Sequence, residues 1–168
     1  MVDNRNMTLD MEEEDTQKGK YLTFPLDKEN YGIEIRFVTE IVGIQAITSV
    51  PQMPNYVKGI INLRGKIIPV MDVRLRFRKE QQQYHDRTCI IVIDIHGITI
   101  GLIVDSVNEV IPIADEHIVP PPKMNKEFQN RFIQGIARTG NDIKLLVDCD
   151  KLINEEDIPE LDQLAQNE

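Results

Sequence analysis

The chain has 168 residues, of which 41% are apolar and 28% charged, and its formal net charge is −9. That length suits one domain, or two small lobes that share a core. The acidic balance argues against nucleic-acid binding, which needs clustered Lys and Arg, and no apolar run is long enough to span a bilayer. Two cysteines, Cys89 and Cys149, form neither a disulfide framework nor a CxxC pair, which predicts reduced thiols.

Both ends of the chain have the composition of tails. Residues 1–19 are polar, carry the acidic run EEED at 12–15, and lack the basic and apolar regions of a signal peptide. We therefore expect a cytoplasmic protein with a disordered acidic tail at 1–19, a domain at 20–157 and a second tail at 158–168.

The residues between the tails form short apolar or alternating runs. In chain order these are YLTFPL, YGIEIRFVTEIV, GIINL, KIIPVMDV, CIIVIDI, ITIGLIVDSV and IKLLVD. They are rich in Ile and Val and are separated by Gly, Pro, Asn and Asp, which predicts many short strands. Two exceptions are expected: one or two helical turns in IRFVTEIV, and a C-terminal helix beginning CDKLINEE with Asp148 as its N-cap.

Residues 31–51 resemble residues 96–120, which indicates an internal duplication. Three residues of YGIEI match three of HGITI, and the match resumes after a four-residue insertion in the second copy. The matched pairs are Gly32–Gly97, Ile33–Ile98, Ile35–Ile100, Val38–Val107, Glu40–Glu109, Ile44–Ile113, Val50–Val119 and Pro51–Pro120. Further along, the pairs are Gly59–Gly135, Ile60–Ile136, Ile67–Ile143 and Asp72–Asp148.

Each copy is predicted to be an all-β unit of about five strands. A five-stranded sheet curls into a barrel that removes its edges, and one such unit is too small for a core of its own. The prediction is therefore two five-stranded β-barrels, at about 20–83 and 84–157, that share a hydrophobic core and leave a groove where they meet.

The repeated aspartates raise the possibility of a catalytic pair. Asp72 and Asp148 occupy equivalent positions, and two carboxylates across a pseudo-dyad can share a proton, as in aspartic proteases. Those enzymes need Asp-Thr/Ser-Gly, whereas Val73 and Cys149 follow the aspartates here. We interpret both as helix caps. The histidines have no zinc-binding spacing, so neither a catalytic nor a metal site is predicted.

The string NLRGK at residues 62–66 predicts a hairpin turn, in which Gly65 takes a positive φ and Arg64 lies at the exposed tip. The second copy has Gly140, in RTGND, at the position of Arg64. Since the repeated scaffold does not require an arginine there, we interpret Arg64 as a functional residue.

The string VPQMPNYVKGIINLRGKIIPVMDVRLRF, with YGIEIRFVTEIVG before it and GLIVDSVNEV after it, resembles CheW-type chemotaxis coupling proteins. The resemblance covers about residues 20–157 and implies two SH3-like β-barrels around a shared core. It also implies an adaptor without catalysis or cofactor, which binds the cytoplasmic tip of chemoreceptors and, separately, the regulatory domain of the histidine kinase CheA. Such adaptors assemble with CheA into rings and membrane-associated arrays.

The resemblance also implies site residues. Arg64 and Glu40 match positions associated with coupling, and Val38 belongs to the receptor-facing region. We also predict that Asn62, in the same turn as Arg64, is a receptor-binding residue. Three glycines, Gly59, Gly65 and the repeat counterpart Gly135, shape hairpins near partner surfaces. An exposed Arg64–Glu40 pair would contribute about 0–1 kcal/mol. We therefore expect it to act at an interface and not as a structural clasp.

Two alternatives remain open from the residues alone. One is a CheW-like regulatory module of a CheA- or CheV-type protein. The other is a generic SH3-like module for proline-rich peptides, which is disfavoured because such grooves use clustered Tyr and Trp and the chain has no Trp.

Overall fold

The computed structural model describes residues 17–121 and 132–153, so most of the expected N-terminal tail and all of the expected C-terminal tail lie outside the described residues. The described chain is mostly β-strand, as predicted. The strands are β1 (Lys20–Leu26), β2 (Glu29–Glu34), β3 (Val38–Gly43), β4 (Val57–Leu63), β5 (Lys66–Asp72), β6 (Cys89–Ile95), β7 (Ile98–Val104), β8 (Val110–Pro112), β9 (Ile118–Val119), β10 (Ile133–Thr139) and β11 (Asp142–Val147).

Helical structure is short in the described residues. Of the IRFVTEIV segment, only Ile35–Phe37 forms a 3-10 turn, and the β-branched residues after it begin β3. A second 3-10 turn spans Asp115–His117. The helix α1 (Val73–Arg76) follows β5, and the helix α2 (Cys149–Leu152) follows β11.

The strands form two mixed sheets. The first sheet has the order β8-β1-β2-β11-β10-β9 and the second has the order β3-β6-β7-β5-β4. Each sheet contains strands from both repeats. The β1–β2 hairpin of the first repeat lies in the first sheet with β8 to β11, and the β6–β7 hairpin of the second repeat lies in the second sheet with β3 to β5. The parallel pairs β2–β11 and β5–β7 make these two junctions. The boundary near residue 83 therefore separates sequence repeats and not sheets.

The two sheets match strand for strand, which supports the duplication and corrects its alignment. Thr23 pairs with Gly32 in the first hairpin, and Val92 pairs with Gly101 in the second. Thr23 is therefore equivalent to Val92 and Gly32 to Gly101, and each equivalent pair is 69 residues apart. Gly32 thus corresponds to Gly101 and not to Gly97, and no insertion is needed. The Gly-Ile-x-Ile match was misleading because Gly97, at φ +78°, lies in the turn before β7.

The Val-Pro match is also out of register. Ile60 bridges to Thr48, whereas its equivalent Ile136 pairs with Val119. Val119 therefore corresponds to Thr48 and not to Val50. Further along, the β4–β5 and β10–β11 hairpins have the same register and a β-bulge at the same place, in agreement with the predicted equivalence of Gly59 and Gly135.

Three apolar clusters hold the sheets together. The largest contains buried residues of both sheets, among them Phe24, Ile33, Ile93 and Leu102, and is the shared core that was predicted. A second cluster, which includes Ile61, lies within the second sheet, and a smaller third cluster lies within the first. Each sheet thus buries one face against the other sheet and curls around apolar side chains on its second face.

Candidate functional site

The β4–β5 turn has the backbone conformation of a tight hairpin. Arg64 has φ +53° and Gly65 has φ +85°, and both residues are exposed. The Gly65 N–H donates to Asn62 Oδ1 at 2.8 Å, which fixes the turn from the preceding strand. Two consecutive left-handed residues are typical of the turns that match the twist of adjacent strands. Asn62 therefore has a structural contact inside the turn.

The equivalent β10–β11 turn places a glycine where the first turn has arginine. Gly140 has φ +66°, close to the φ of Arg64. A left-handed conformation costs a residue with a side chain about 1–2 kcal/mol, and glycine escapes that cost. The first turn therefore has an arginine in the left-handed conformation for which the second turn has a glycine.

Arg64 makes an ion pair with Glu40 of the edge strand β3. The Arg64 Nη2 atom donates to Glu40 Oε2, and the exposed fractions of the two side chains are 69% and 32%. The pair joins the hairpin tip to the strand at the other edge of the same sheet, which closes this end of the curled sheet. Because both groups contact water, the pair contributes about 0–1 kcal/mol to stability.

A shallow groove lies beside this ion pair. Its floor is apolar and buried, formed by Leu63, Ile68 and Val92 at the end of the apolar cluster inside the second sheet. Its rim is polar, and the Lys66 ammonium donates to Thr99 Oγ1 at 3.0 Å across it. The rim residues are Thr39, Glu40, Arg64, Lys66, Asp94 and Thr99.

Val38 lies apart from this groove. It begins β3, is half-buried and packs against the shared core between the sheets. A β-bulge between Val38 and Glu40 shifts the pairing of β3 with β6. The structure thus brings Glu40, Asn62 and Arg64 to one end of the second sheet, while Val38 contributes to the apolar surface where the two sheets meet.

The predicted turn glycines differ in their local constraint. Gly59 has φ +144°, and a Cβ there would collide with the carbonyl oxygen of Thr48. At Gly135 a Cβ would lie 2.7 Å from the Ile118 Cγ2 atom, which belongs to a side chain, and φ is not positive. Gly65 has open space around its α-carbon and needs glycine only for its φ.

Asp72 and Asp148 are the N-caps of the two short helices. Asp72 Oδ1 accepts from the backbone N–H of Arg74 at 2.9 Å, and Asp148 Oδ1 accepts from that of Lys151 at 3.2 Å. The second Asp72 oxygen accepts from the hydroxyl of Tyr84 at 2.8 Å. Burial, and then this hydrogen bond, raise the pKa of Tyr84 above its ordinary value. The two carboxylates act as caps at equivalent positions.

Arg74 is buried, with only 8% of its surface exposed, which its neighbours in the sequence do not indicate. Its guanidinium binds the Asp105 carboxylate with three contacts of 2.5–3.0 Å and reaches Asp27 in the β1–β2 turn at 2.9 Å. The hydrogen bond to Arg74 lowers the pKa of Asp27. The composition of RLRFRK is that of a basic run exposed to solvent. In the sequence, Arg74 differs from the other basic residues of this run only in its position two residues after the Asp72 cap.

The second half of the fold repeats the Arg74–Asp27 contact with the carboxylate on the helix instead of in the turn. Asp150 occupies the helix position of Arg74, and His96 occupies the turn position of Asp27, with φ values of +53° and +55°. The Nε2 atom of His96 lies 2.5 Å from Asp150 Oδ1. Each short helix is thus tied to the first hairpin of its own repeat, which lies in the other sheet, by polar pairs of opposite arrangement.

The described residues contain no metal site and no helix long and apolar enough to cross a membrane. Residues 17–121 and 132–153 hold no group of three or more potential metal-ligating side chains. No helix in those ranges meets the length and hydropathy of a membrane span. Both thiols are buried, and burial raises the pKa of Cys149 to about 12 and also that of Cys89. Thiols in that state are poor nucleophiles.

The fold and the site define a class of protein: a two-sheet β domain that presents a groove with an apolar floor and a charged rim. The CheW-like domain family model matches residues 20–157. The chain therefore belongs to the CheW-like domain family. This result agrees with the resemblance seen in the NLRG region.

Curated relatives and a solved structure support that membership. The chain is 32% identical to the chemotaxis protein CheW of Klebsiella aerogenes over 88% of this chain and 89% of that protein. It is 31% identical to the chemotaxis protein CheW of Treponema pallidum over 85% and 86%, respectively. The crystal structure of the scaffolding protein TtCheW from Thermoanaerobacter tengcongensis matches with a TM-score of 0.75 and 40% identity, over 81% of this chain and 92% of that one.

Proposed function

We propose that this chain is a non-catalytic, cytoplasmic adaptor of chemotaxis, which couples the cytoplasmic tips of chemoreceptors to the histidine kinase CheA in membrane-associated arrays. Its similarity to proteins named for chemotaxis and for scaffolding supports the adaptor role. The further step, to receptors and CheA as partners, rests on the family resemblance and on the geometry of the Arg64 groove.

The observation that carries the proposal is the conformation of Arg64. Arg64 has a left-handed φ, whereas the equivalent turn has a glycine at that position. A side chain in this backbone conformation reduces stability, so the arginine needs a functional explanation. Its pair with Glu40 is exposed and offsets little of that cost. Binding of a partner is the remaining role for a guanidinium held at this rim.

The groove suits a helical partner with an acidic residue. An amphipathic helix places its apolar face on a hydrophobic floor and its polar residues on the rim. Leu63, Ile68 and Val92 supply the floor, and Arg64 supplies a forked donor for a carboxylate. In the free protein the Glu40 carboxylate accepts the hydrogen bond from Arg64. A receptor carboxylate would replace Glu40, so the ion pair acts as a switch at the interface.

Assembly with CheA uses other surfaces of the domain. The edge strands β3 and β8 expose equivalent apolar residues, Ile41 at 42% and Val110 at 45%. An exposed strand edge with an apolar side chain is an association surface. Because these two positions lie in opposite halves of a pseudo-symmetric fold, each can meet a CheW-like regulatory domain, which supports growth into rings and arrays.

The test is to measure binding of a receptor cytoplasmic fragment and of the CheA regulatory domain in separate experiments. We expect both to bind the unmodified chain. Arg64→Gly, which keeps the turn conformation, should weaken binding of the receptor fragment and leave that of the kinase domain. Ile41→Asp should do the reverse. Binding of neither partner by the unmodified chain would overturn the proposal.

A further inference from the structure

Lys66 is a second cation of the Arg64 groove, and the second repeat has no cation at the equivalent position. Leu63 pairs with Lys66 at the base of the first turn, and Thr139 pairs with Asp142 at the base of the equivalent turn. The equivalent of Lys66 is therefore Asp142, which has the opposite charge. Because the same hairpin accepts either charge, the fold itself does not require a lysine at this position.

The Lys66 side chain lies on the groove side of β5. Lys66 and the buried Ile68 are two residues apart on one strand, so their side chains lie on the same face of the sheet. Lys66 is exposed, and its ammonium donates to Thr99 Oγ1 at 3.0 Å. An ammonium has three donors, and this contact with a neutral hydroxyl uses one of them. No carboxylate of the described residues lies within ion-pair distance of Lys66, so its charge is available to a partner.

Arg64 and Lys66 direct their charges to different parts of the rim. Arg64 contacts Glu40 on β3, and Lys66 contacts Thr99 on β7. Since β6 lies between these two strands in the sheet, the two contacts are separated by two strand spacings, or about 10 Å. Residues seven positions apart on an α-helix lie on nearly the same face and are about 10.5 Å apart along its axis. A helix that crosses these strands can therefore place one carboxylate at each cation.

We propose that the groove binds a helix with two acidic residues seven positions apart, and that Lys66 selects for the second of them. The inference rests on the proposed receptor role of this groove and names the feature that a receptor tip needs there. Arg64 binds the first carboxylate in place of Glu40, and Lys66 leaves the Thr99 hydroxyl to bind the second. A receptor with a single acidic residue at this contact binds more weakly, which makes Lys66 a determinant of receptor choice.

The test is a double-mutant cycle on the full chain, with a receptor cytoplasmic fragment that contains the hairpin tip as the probe and calorimetric titration as the measurement. Arg64→Gly and Lys66→Gln should each weaken binding about fivefold, as expected for the loss of one partly exposed ion pair. The double variant should weaken it about 25-fold, because contacts with separate carboxylates are lost independently. Lys28→Gln removes the same charge at an exposed site outside the groove and should leave the affinity unchanged.

Two results would overturn this inference and leave the receptor role in place. The first is a Lys66→Gln variant that binds the fragment as tightly as the unmodified chain while Arg64→Gly binds it more weakly. The second is a double variant that binds no more weakly than either single variant, because both cations would then share one carboxylate. Failure of the unmodified chain to bind the fragment would overturn the proposed function as well. Urea unfolding of each variant checks that the fold is intact.

Discussion

Arg64 and Gly140 occupy the same position in two equivalent hairpins, and their φ values are +53° and +66°. The backbone thus has the same left-handed conformation at both sites, while the side chain is present in one and absent in the other. This relationship allows the contribution of the Arg64 side chain to stability to be separated from its contribution to binding.

Arg64→Gly should change the free energy of unfolding by no more than about 1 kcal/mol. The substitution removes the cost of a left-handed side chain but adds freedom to the unfolded chain and removes an exposed ion pair, and these effects oppose each other. Urea unfolding measures the result, with Glu40→Gln as the control for the lost pair. A loss above about 2 kcal/mol would show that the Arg64–Glu40 pair is a structural clasp.

Gly59→Ala should destabilise the protein by more than about 2 kcal/mol, because its Cβ would collide with the Thr48 carbonyl and its φ is +144°. Gly43→Ala is the matched control, since a Cβ there has no neighbour within 4 Å. Gly135→Ala should fall between them, because its close neighbour is a side-chain methyl of Ile118. Thermal unfolding of the three variants tests the order, and a Gly59→Ala variant as stable as Gly43→Ala would contradict it.

Arg74→Met should reduce the free energy of unfolding by about 2 kcal/mol. This is less than the loss for a fully buried pair, because the side chains of Asp27 and Asp105 are 46% and 30% exposed. The Asp105 carboxylate then loses its contact with the guanidinium, and Asp27 keeps only the Lys79 ammonium at 3.5 Å. Arg87→Met, at an exposed site, is the control for loss of a positive charge. Equal stability of the two variants in urea would contradict the assigned role of Arg74.

The Arg74–Asp27 contact also predicts a dependence on pH. The pKa of Asp27 lies below its ordinary value of 3.8, chiefly through the hydrogen bond from Arg74. A lowered folded-state pKa adds stability above pH 3.8, which is lost as the pH falls through the folded-state value. Acid titration of stability should therefore fall more steeply in the unmodified chain than in Arg74→Met. Parallel curves would show that the contact contributes nothing.

Both thiols should resist alkylation in the folded protein. Burial raises the pKa of Cys149 to about 12 from an ordinary 9.0, which lowers its thiolate fraction near pH 8 by about a thousandfold. Iodoacetamide at that pH should modify neither cysteine until urea unfolds the chain. Mass spectrometry with and without urea measures this, and rapid labelling of the native protein at Cys149 would contradict its burial.

Local features could be predicted from the sequence. The Asn62–Gly65 turn follows from a glycine that accepts positive φ and an asparagine whose side chain bonds to the backbone, and the Asp72 and Asp148 caps follow from a short polar side chain before a helical turn. The pairing between repeats could not be predicted. Alternating Ile and Val residues indicate a strand and its buried face, but they do not identify its neighbour. Because such Ile and Val patterns resemble one another, the comparison of the two repeats matched Gly32 with Gly97 instead of Gly101.

The buried arginines escaped prediction for a different reason. Arg74 and Arg76 lie in a run of alternating basic residues that resembles a solvated surface. Their burial depends on Asp105 and on the Leu152 carbonyl, which are 31 and 76 residues away in the chain. Long-range partners of this kind become visible only when the sheets are assembled. Val38 was assigned to the receptor-facing region by resemblance, and that role stays a prediction.

The exchange of hairpins between the two repeats has a consequence for synthesis on the ribosome. The β1–β2 hairpin leaves the exit tunnel first, but its sheet needs β11, in which Leu146 pairs with Gly32. More than a hundred residues must be translated between these two partners. The earliest strands therefore remain without this partner, with apolar side chains uncovered, until β11 has been translated. Pairing between strands so far apart in the chain is slow to form, and the uncovered strands are open to association with other chains in the meantime.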